Sequence, residues 1–359
     1  MGIFTRLDIE EAEREGSFIV RNKQEIGNAG IDLRVKQLYT VPRDLFEIKE
    51  IYQMLNHEPP KDLSRENFIK RLIEVPMEDG DFWLLLPGHH YLATTEEEIF
   101  KEQFFFSPIF TRSSWARCGV RVEQADHDEL VGGRKFEGTP LLSVSTFGTH
   151  VKLRPGDAPG QIVPSVGSEY VHPMEVGDLI AQGILRIERD GKQLKAEEFE
   201  YDNNGVILTL DKKIRKYKGG IIDPRKSVDK LFEEIILDEK EFWGNKGEFF
   251  ISSTAETVSI CSCHIGFVWH SMHHISRAGW TPMYNHPNAP LIHSRSVFNG
   301  KITLEHYPHN AYVLRAGMPI TSFGLRRMQS PMWSGLWKGK ESRYKGQSEA
   351  TSSRGYIKP

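Results

Sequence analysis

Cysteine is scarce. The chain has three in 359 residues, and two of them, Cys261 and Cys263, are separated by a single residue. So few thiols in so awkward a pair cannot staple a small secreted fold, so a reducing compartment, the cytoplasm, is the expected location. Long apolar runs are missing too: FWLLLP from Phe82 and FFFSPIF from Phe104 have strand length, far short of the roughly 20 residues that span a bilayer. The first helix-like stretch carries Asp8, Glu10, Glu11 and Glu13 where a secretory leader is apolar, and Arg6 stands where a myristoylation signal wants Ser or Thr. No membrane is expected as a partner. Nor is there an excess of either charge: 46 Lys and Arg stand against 49 Asp and Glu, for a net charge of -3. Without a broad basic field, a nucleic acid polymer is excluded as the expected partner, whereas a small anion in a local pocket is compatible.

What is present is a series of short apolar or alternating segments between Gly, Pro and Asn. GIDLRV, FWLLL, LLSVSTF, VILTL, EFFISS and GKITLEHY are examples, and they predict a mainly β protein with few short helices. Length alone suggests two domains. Three pairs of segments recur in the same order: NAGIDLRVKQLY from Asn28 with NNGVILTLDKKI from Asn203, WARCGV from Trp115 with ISRAGW from Ile275, and GTPLLSVSTFGTHVKLRPGD from Gly138 with GKITLEHYPHNAYVLRAGM from Gly300. Collinear recurrence points to tandem duplication. The boundary is expected in the polar stretch near residues 190 to 204, giving domains at 1–195 and 196–335 and a tail at 336–359.

The copies differ where chemistry would sit. Arg112, Ser113 and Ser114 of the first fall against Met272, His273 and His274 of the second, while Glu305 of the second falls against Ser143 of the first. Arg112 and Arg117 offer planar guanidinium forks suited to phosphate oxygens, and the two serines add hydroxyl donors. Glu305 follows Ile302, Thr303 and Leu304 on a predicted buried strand, where a carboxylate needs a reason to be. Each copy keeps what the other lacks, as one site assembled from both requires.

These residues resemble the dCTP deaminase branch of the trimeric dUTPase superfamily. The likeness runs through the opening helix LDIEEAEREG, the strand GIDLRV, RSSWARCG at Arg112 to Gly119, GKITLE at Gly300 to Glu305, LRAGMPI at Leu314 to Ile320 and, more loosely, RYKGQSE at Arg343 to Glu349. The resemblance implies two tandem dUTPase-like domains of distorted β-barrel or jelly-roll form. It also implies hydrolytic deamination of dCTP to dUTP and ammonia, and a homodimer or other homo-oligomer. Glu305 would activate water with Ser113 and Arg117 reaching across to it. Arg112, Ser114 and Gly119 would bind the nucleotide, and Tyr344, Lys345 and Gln347 of the tail would close over it. Mg²⁺ would enter with the triphosphate and no protein metal site is expected.

Zinc-dependent deamination uses H-x-E followed by P-C-x-x-C, and neither string occurs. Cys261 to His264 is too crowded for a structural zinc site. Two other readings stand beside deamination. One is dUTP diphosphatase or mixed hydrolysis, against which LIHSRSVFNG from Leu291 lacks the acid that the related enzymes use. The other is a catalytically silent nucleotide-binding regulator, in which the loss of Arg and Ser from the second copy would signal decay.

Overall fold

The structure is a computed structural model. It describes residues 2–23, 26, 30–42, 65–125, 133–167, 171–203, 205–237, 241–260, 264–270, 283–286, 291–293, 298–308, 311–327, 329 and 349. Short strands dominate, as the punctuation of the sequence predicts, and among the described residues they enclose two large apolar cores. No described helix is long and apolar enough to cross a membrane.

The helix Arg6–Arg14 begins on a reciprocal cap: Thr5 Oγ1 accepts from the Asp8 N–H at 3.4 Å, and the Asp8 carboxylate accepts from the Thr5 N–H at 2.8 Å. It buries Ile9 and Ala12 and stops at Gly16, whose φ of +74° a residue with a Cβ rarely adopts. The chain then enters the strand Phe18–Arg21, with Phe18 opposite Lys101 and Val20 opposite Ile99. The helix Pro173–Ala181 repeats this opening. It stops at Gly183, φ +72°, and leads into the strand Leu185–Arg189, with Leu185 opposite Ile260 and Ile187 opposite Val258. The structural repeat therefore opens inside the segment that the sequence reading gave to the first domain. MEVGDLIAQGILRIE from Met174 parallels LDIEEAEREGSFIVR from Leu7, but only Gly and a few apolar positions carry the match.

The remaining correspondences are equally specific. Ile31 lies opposite Ile162 in the first copy and Val206 opposite Phe323 in the second. The Val35 N–H donates to Asp157 O at 2.8 Å, and the Leu210 N–H donates to Met318 O at 2.9 Å. Among the described residues, each copy has a fully buried glutamate at a matching place. Glu97 accepts from the Arg34 N–H at 2.8 Å and Glu256 from the Thr209 N–H at 3.0 Å, each two residues after a threonine whose hydroxyl donates to that glutamate's carbonyl. Hydrogen bonds and ion pairs to Arg34 and Arg189 offset the cost of burying these carboxylates.

Close backbone approach fixes two glycines at equivalent places. A Cβ on Gly205, where φ is +139°, would stand 2.1 Å from the Phe323 carbonyl oxygen, and one on Gly30 would stand 2.8 Å from that of Ile162. Gly205→Ala is expected to cost about 2 kcal/mol from steric conflict and backbone strain. Gly30→Ala should cost less, and urea unfolding of the two variants gives the order.

The halves are not independent. Ile222, Val228, Phe232, Phe249 and Ile251 belong to the first core, although they lie in the second part of the chain. Ile221–Ile222 adds in parallel to the strand His150–Leu153, His150 lying opposite Ile221. Ion pairs surround this junction: Arg154 donates through both terminal nitrogens to Asp223 at 3.0 Å, and Arg225 donates to the fully buried Asp157 at 2.7 Å.

Candidate active site

The strand Ile109–Thr111 pairs with Gly160–Ile162 and delivers the chain to a single helical turn, Ser113–Ala116. Arg112 occupies its N-cap in an extended conformation, and its carbonyl accepts from the N–H groups of Trp115 and Ala116, both at 2.9 Å. Its guanidinium pairs with Asp32 at 2.9 Å and donates to Ala158 O at 3.3 Å. Asp32 thus orients the arginine. Ser113 is partly exposed, whereas Ser114, Trp115 and Arg117 are buried. Gly119, φ +78°, uses its missing side chain internally: a Cβ there would lie 2.6 Å from Thr149 Oγ1, whose hydroxyl donates to Cys118 O at 2.8 Å. That tight corner turns the chain into the strand Val120–Gln124 and fixes the direction of the motif.

Glu305 comes from the other copy, on the strand Phe298–Pro308. Alternation sends Ile302 and Leu304 into the second core and Glu305 and Tyr307 to the opposite face. The register places Glu305 opposite Ile251, the equivalent of Ser143 opposite Leu92 in the first copy. Burial is the dominant influence on the carboxyl and pushes its pKa up to about 7, while the nearby Arg117 guanidinium and a backbone hydrogen bond pull it down. Arg117 and Glu305 therefore meet within one chain, and the seam between the copies is where they meet.

Sequence reasoning missed the seam's own fixings. Phe147 packs on Tyr307 with centroids 5.0 Å apart, and the Arg121 guanidinium lies 5.9 Å from the Phe147 centroid. The available signal was Tyr307 two residues after Glu305, hence on its face. Beneath the strand, His306 Nε2 and Ser252 Oγ share a 2.6 Å hydrogen bond, Nδ1 lies 3.2 Å from Tyr312 Oη, and the imidazole stacks on Phe250 at 4.7 Å. Those contacts anchor the strand that presents Glu305.

Tyr344, Lys345 and Gln347 lie outside the described residues, as do Met272, His273, His274, Cys261 and Cys263. Two residues beyond Gln347, Glu349 pairs with Lys213 on the long strand Gly205–Tyr217. Among the described residues there is no group of three His, Cys, Asp or Glu side chains able to hold a metal ion.

The whole architecture has a solved counterpart. The structure of 2'-deoxycytidine 5'-triphosphate deaminase from Agrobacterium tumefaciens matches 92% of this chain and 99% of its own with a TM-score of 0.70, at 15% identity. The fold is thus the dUTPase-like fold of that enzyme, matched across both copies. Residues 3–164 match the family model described as dCTP deaminase-like, a little under half of the chain. A dCTP deaminase of Aeropyrum pernix is 34% identical over 79 residues, 22% of this chain and 42% of that protein, so the match spans less than half of the relative's length.

Proposed function

We propose that the seam hydrolyses dCTP to dUTP and ammonia, and that Glu305 is its proton shuttle. The observation that carries this reading is a buried carboxyl with a pKa of about 7, beside the arginine of the opposite copy's motif. A group that titrates near neutrality is suited both to accept and to return a proton. In the carboxylate form Glu305 takes a proton from water, whose oxygen bonds to C4 of cytosine, and passes that proton to ring N3. It then helps move the second proton of the water to the amino group, which leaves C4 as ammonia. Ser113 and Arg117 stabilise the oxygen that develops charge.

Arg112, Ser114 and the backbone near Gly119 are assigned to the triphosphate, and Tyr344, Lys345 and Gln347 to a closing tail that Glu349 anchors. Mg²⁺ would come in on the phosphate oxygens, as a hard cation that keeps most of its waters does, so the chain's part is to hold those oxygens. The donor set assigned to this reaction is an acid, an arginine and a serine, which suits proton transfer without zinc. A cytoplasmic homo-oligomer completes the proposal.

The test is ammonia and nucleotide analysis after mixing the full chain with dCTP and Mg²⁺, beside Ser113→Ala. Ammonia with dUTP, reduced in the variant, supports the reading. Pyrophosphate released from dUTP alone moves it to a diphosphatase, and binding without turnover moves it to a regulator. The kcat/KM profile should rise with pH through about 7, because Glu305 must be deprotonated to take the water's proton, and then level off. A profile flat from pH 6 to pH 8 would remove Glu305 from that role.

A further inference from the structure

In the second copy, the outer face of the strands bearing Ile251 and Glu305 meets the first copy, and Ile251 lies in the first core. Matched registers give the equivalent face of the first copy: Leu92 corresponds to Ile251, Leu141 to Thr303 and Ser143 to Glu305. Among the described residues, no part of the second barrel packs in the cluster on that face. It is covered by Phe68, from the helix Arg65–Arg71, and by Leu72 just beyond it, each 8% exposed. They form a separate cluster with Leu141, 2% exposed, and with Tyr39, Val41, Leu92 and Ala125 around it. The strand Ile73–Glu74 then pins this connection to Tyr39 and Thr40 at the sheet edge. The corresponding connection of the second copy goes elsewhere and sends Ile222, Val228 and Phe232 into the first core.

We infer that the helix Arg65–Arg71 is a built-in stopper, occupying over Leu141 and Leu92 the seat that a motif-bearing barrel occupies over Glu305. Two consequences follow. The chain has one nucleotide site and not two, because the face equivalent to that of Glu305 is closed as well as stripped of its acid. The contact between motif and glutamate is also heterologous, joining unlike surfaces. Such contacts propagate into rings or filaments when both surfaces are open, and the stopper ends the series within one chain.

The first consequence rests on the functional reading above and is tested by titrating dCTP into full-length Glu305→Gln. One site per chain is expected, and two sites per chain overturn the inference. Absence of binding would sink the functional reading alone, and the second arm, which uses no nucleotide, then decides on the stopper.

That arm compares Leu141→Cys with Leu141→Cys/Phe68→Asp by maleimide labelling, with the modified position located by peptide mass. Labelling at 141 should be at least ~100-fold slower than at a cysteine replacing the exposed Phe104 and should quicken about tenfold once Phe68 is changed. Sedimentation velocity on the opened, cooperatively unfolding variant should show self-association beyond the parent's mass. Fast labelling at 141 in the parent, or an opened face with unchanged mass, would overturn the stopper. Phe68→Ala serves as the milder opening if Phe68→Asp does not fold.

Discussion

If Glu305 is the proposed proton shuttle, Glu305→Gln is expected to lower the rate of ammonia release from dCTP by at least about 10³-fold, the upper range for losing a positioned acid and base, while nucleotide binding persists. The substitution keeps the shape of the side chain and removes its titration. Its effect on stability has the opposite sign. Burial raises the folded pKa of Glu305 from 4.5 to about 7, so the protonated form is favoured by folding. The contribution is fully present below the unfolded pKa and is lost as pH rises through about 7. At pH 8 the parent holds a buried carboxylate that the amide variant lacks, and thermal unfolding at that pH should place the variant several degrees higher. The gain should shrink towards pH 5. Lost turnover with raised stability would mark a group placed for chemistry at a cost to the fold, whereas a variant less stable at pH 8 would assign Glu305 a structural task.

Arg225→Ala is the second change with a large expected effect. Asp157 is fully buried, and burial keeps its carboxyl above the ordinary range despite the hydrogen bonds from Arg225 and from the Arg154 backbone. Removing the guanidinium leaves an acid in the junction between the copies without its strongest compensating charge. A loss of about 3 kcal/mol at pH 7 is expected, in line with breaking one side of a buried pair. The deficit should narrow at acid pH, where Asp157 takes a proton. Urea unfolding at two pH values reads both quantities. Because Ile222 and Val228 flank the same junction and complete the first core, one cooperative transition should persist, moved to lower urea. A deficit independent of pH would mean that lost packing of the Arg225 stem, not the charge of Asp157, decides the cost.

The legible parts of the sequence were those with unusual local chemistry. Glu305 stood out as an acid among Ile302, Thr303 and Leu304, and the structure gives it the buried, opposite-face position that strand alternation requires. Gly30 and Gly205 marked corresponding strands, and both face a backbone carbonyl too close for a Cβ. The pairing of Ser143 with Glu305 across the copies could be read because both lie five residues after a shared glycine. Less legible was the start of the second copy. Helix packing constrains only the apolar stripe, so Met174 to Glu188 kept Gly183 and the buried positions of its counterpart and changed nearly everything else. The covering helix and the junction at Asp223 and Arg225 were not legible at all. Both depend on which face a connection packs against, a tertiary choice that no local pattern encodes. Placing Arg117 beside Glu305 in one chain belongs to the same class, since either an intramolecular or an intermolecular seam satisfies the motif.

A core that borrows from downstream also has an order in time. When a ribosome has released residues 1 to 195, the nascent first barrel still lacks Ile222, Val228, Phe232, Phe249 and Ile251, all of which its core contains. Closure of the earlier-made half must wait for the later-made one, a reversal of the usual vectorial sequence in which the first domain folds as it emerges. A gene shortened to the family-matched residues 3–164 would therefore encode a barrel with its apolar interior open to solvent along the side where those five residues belong.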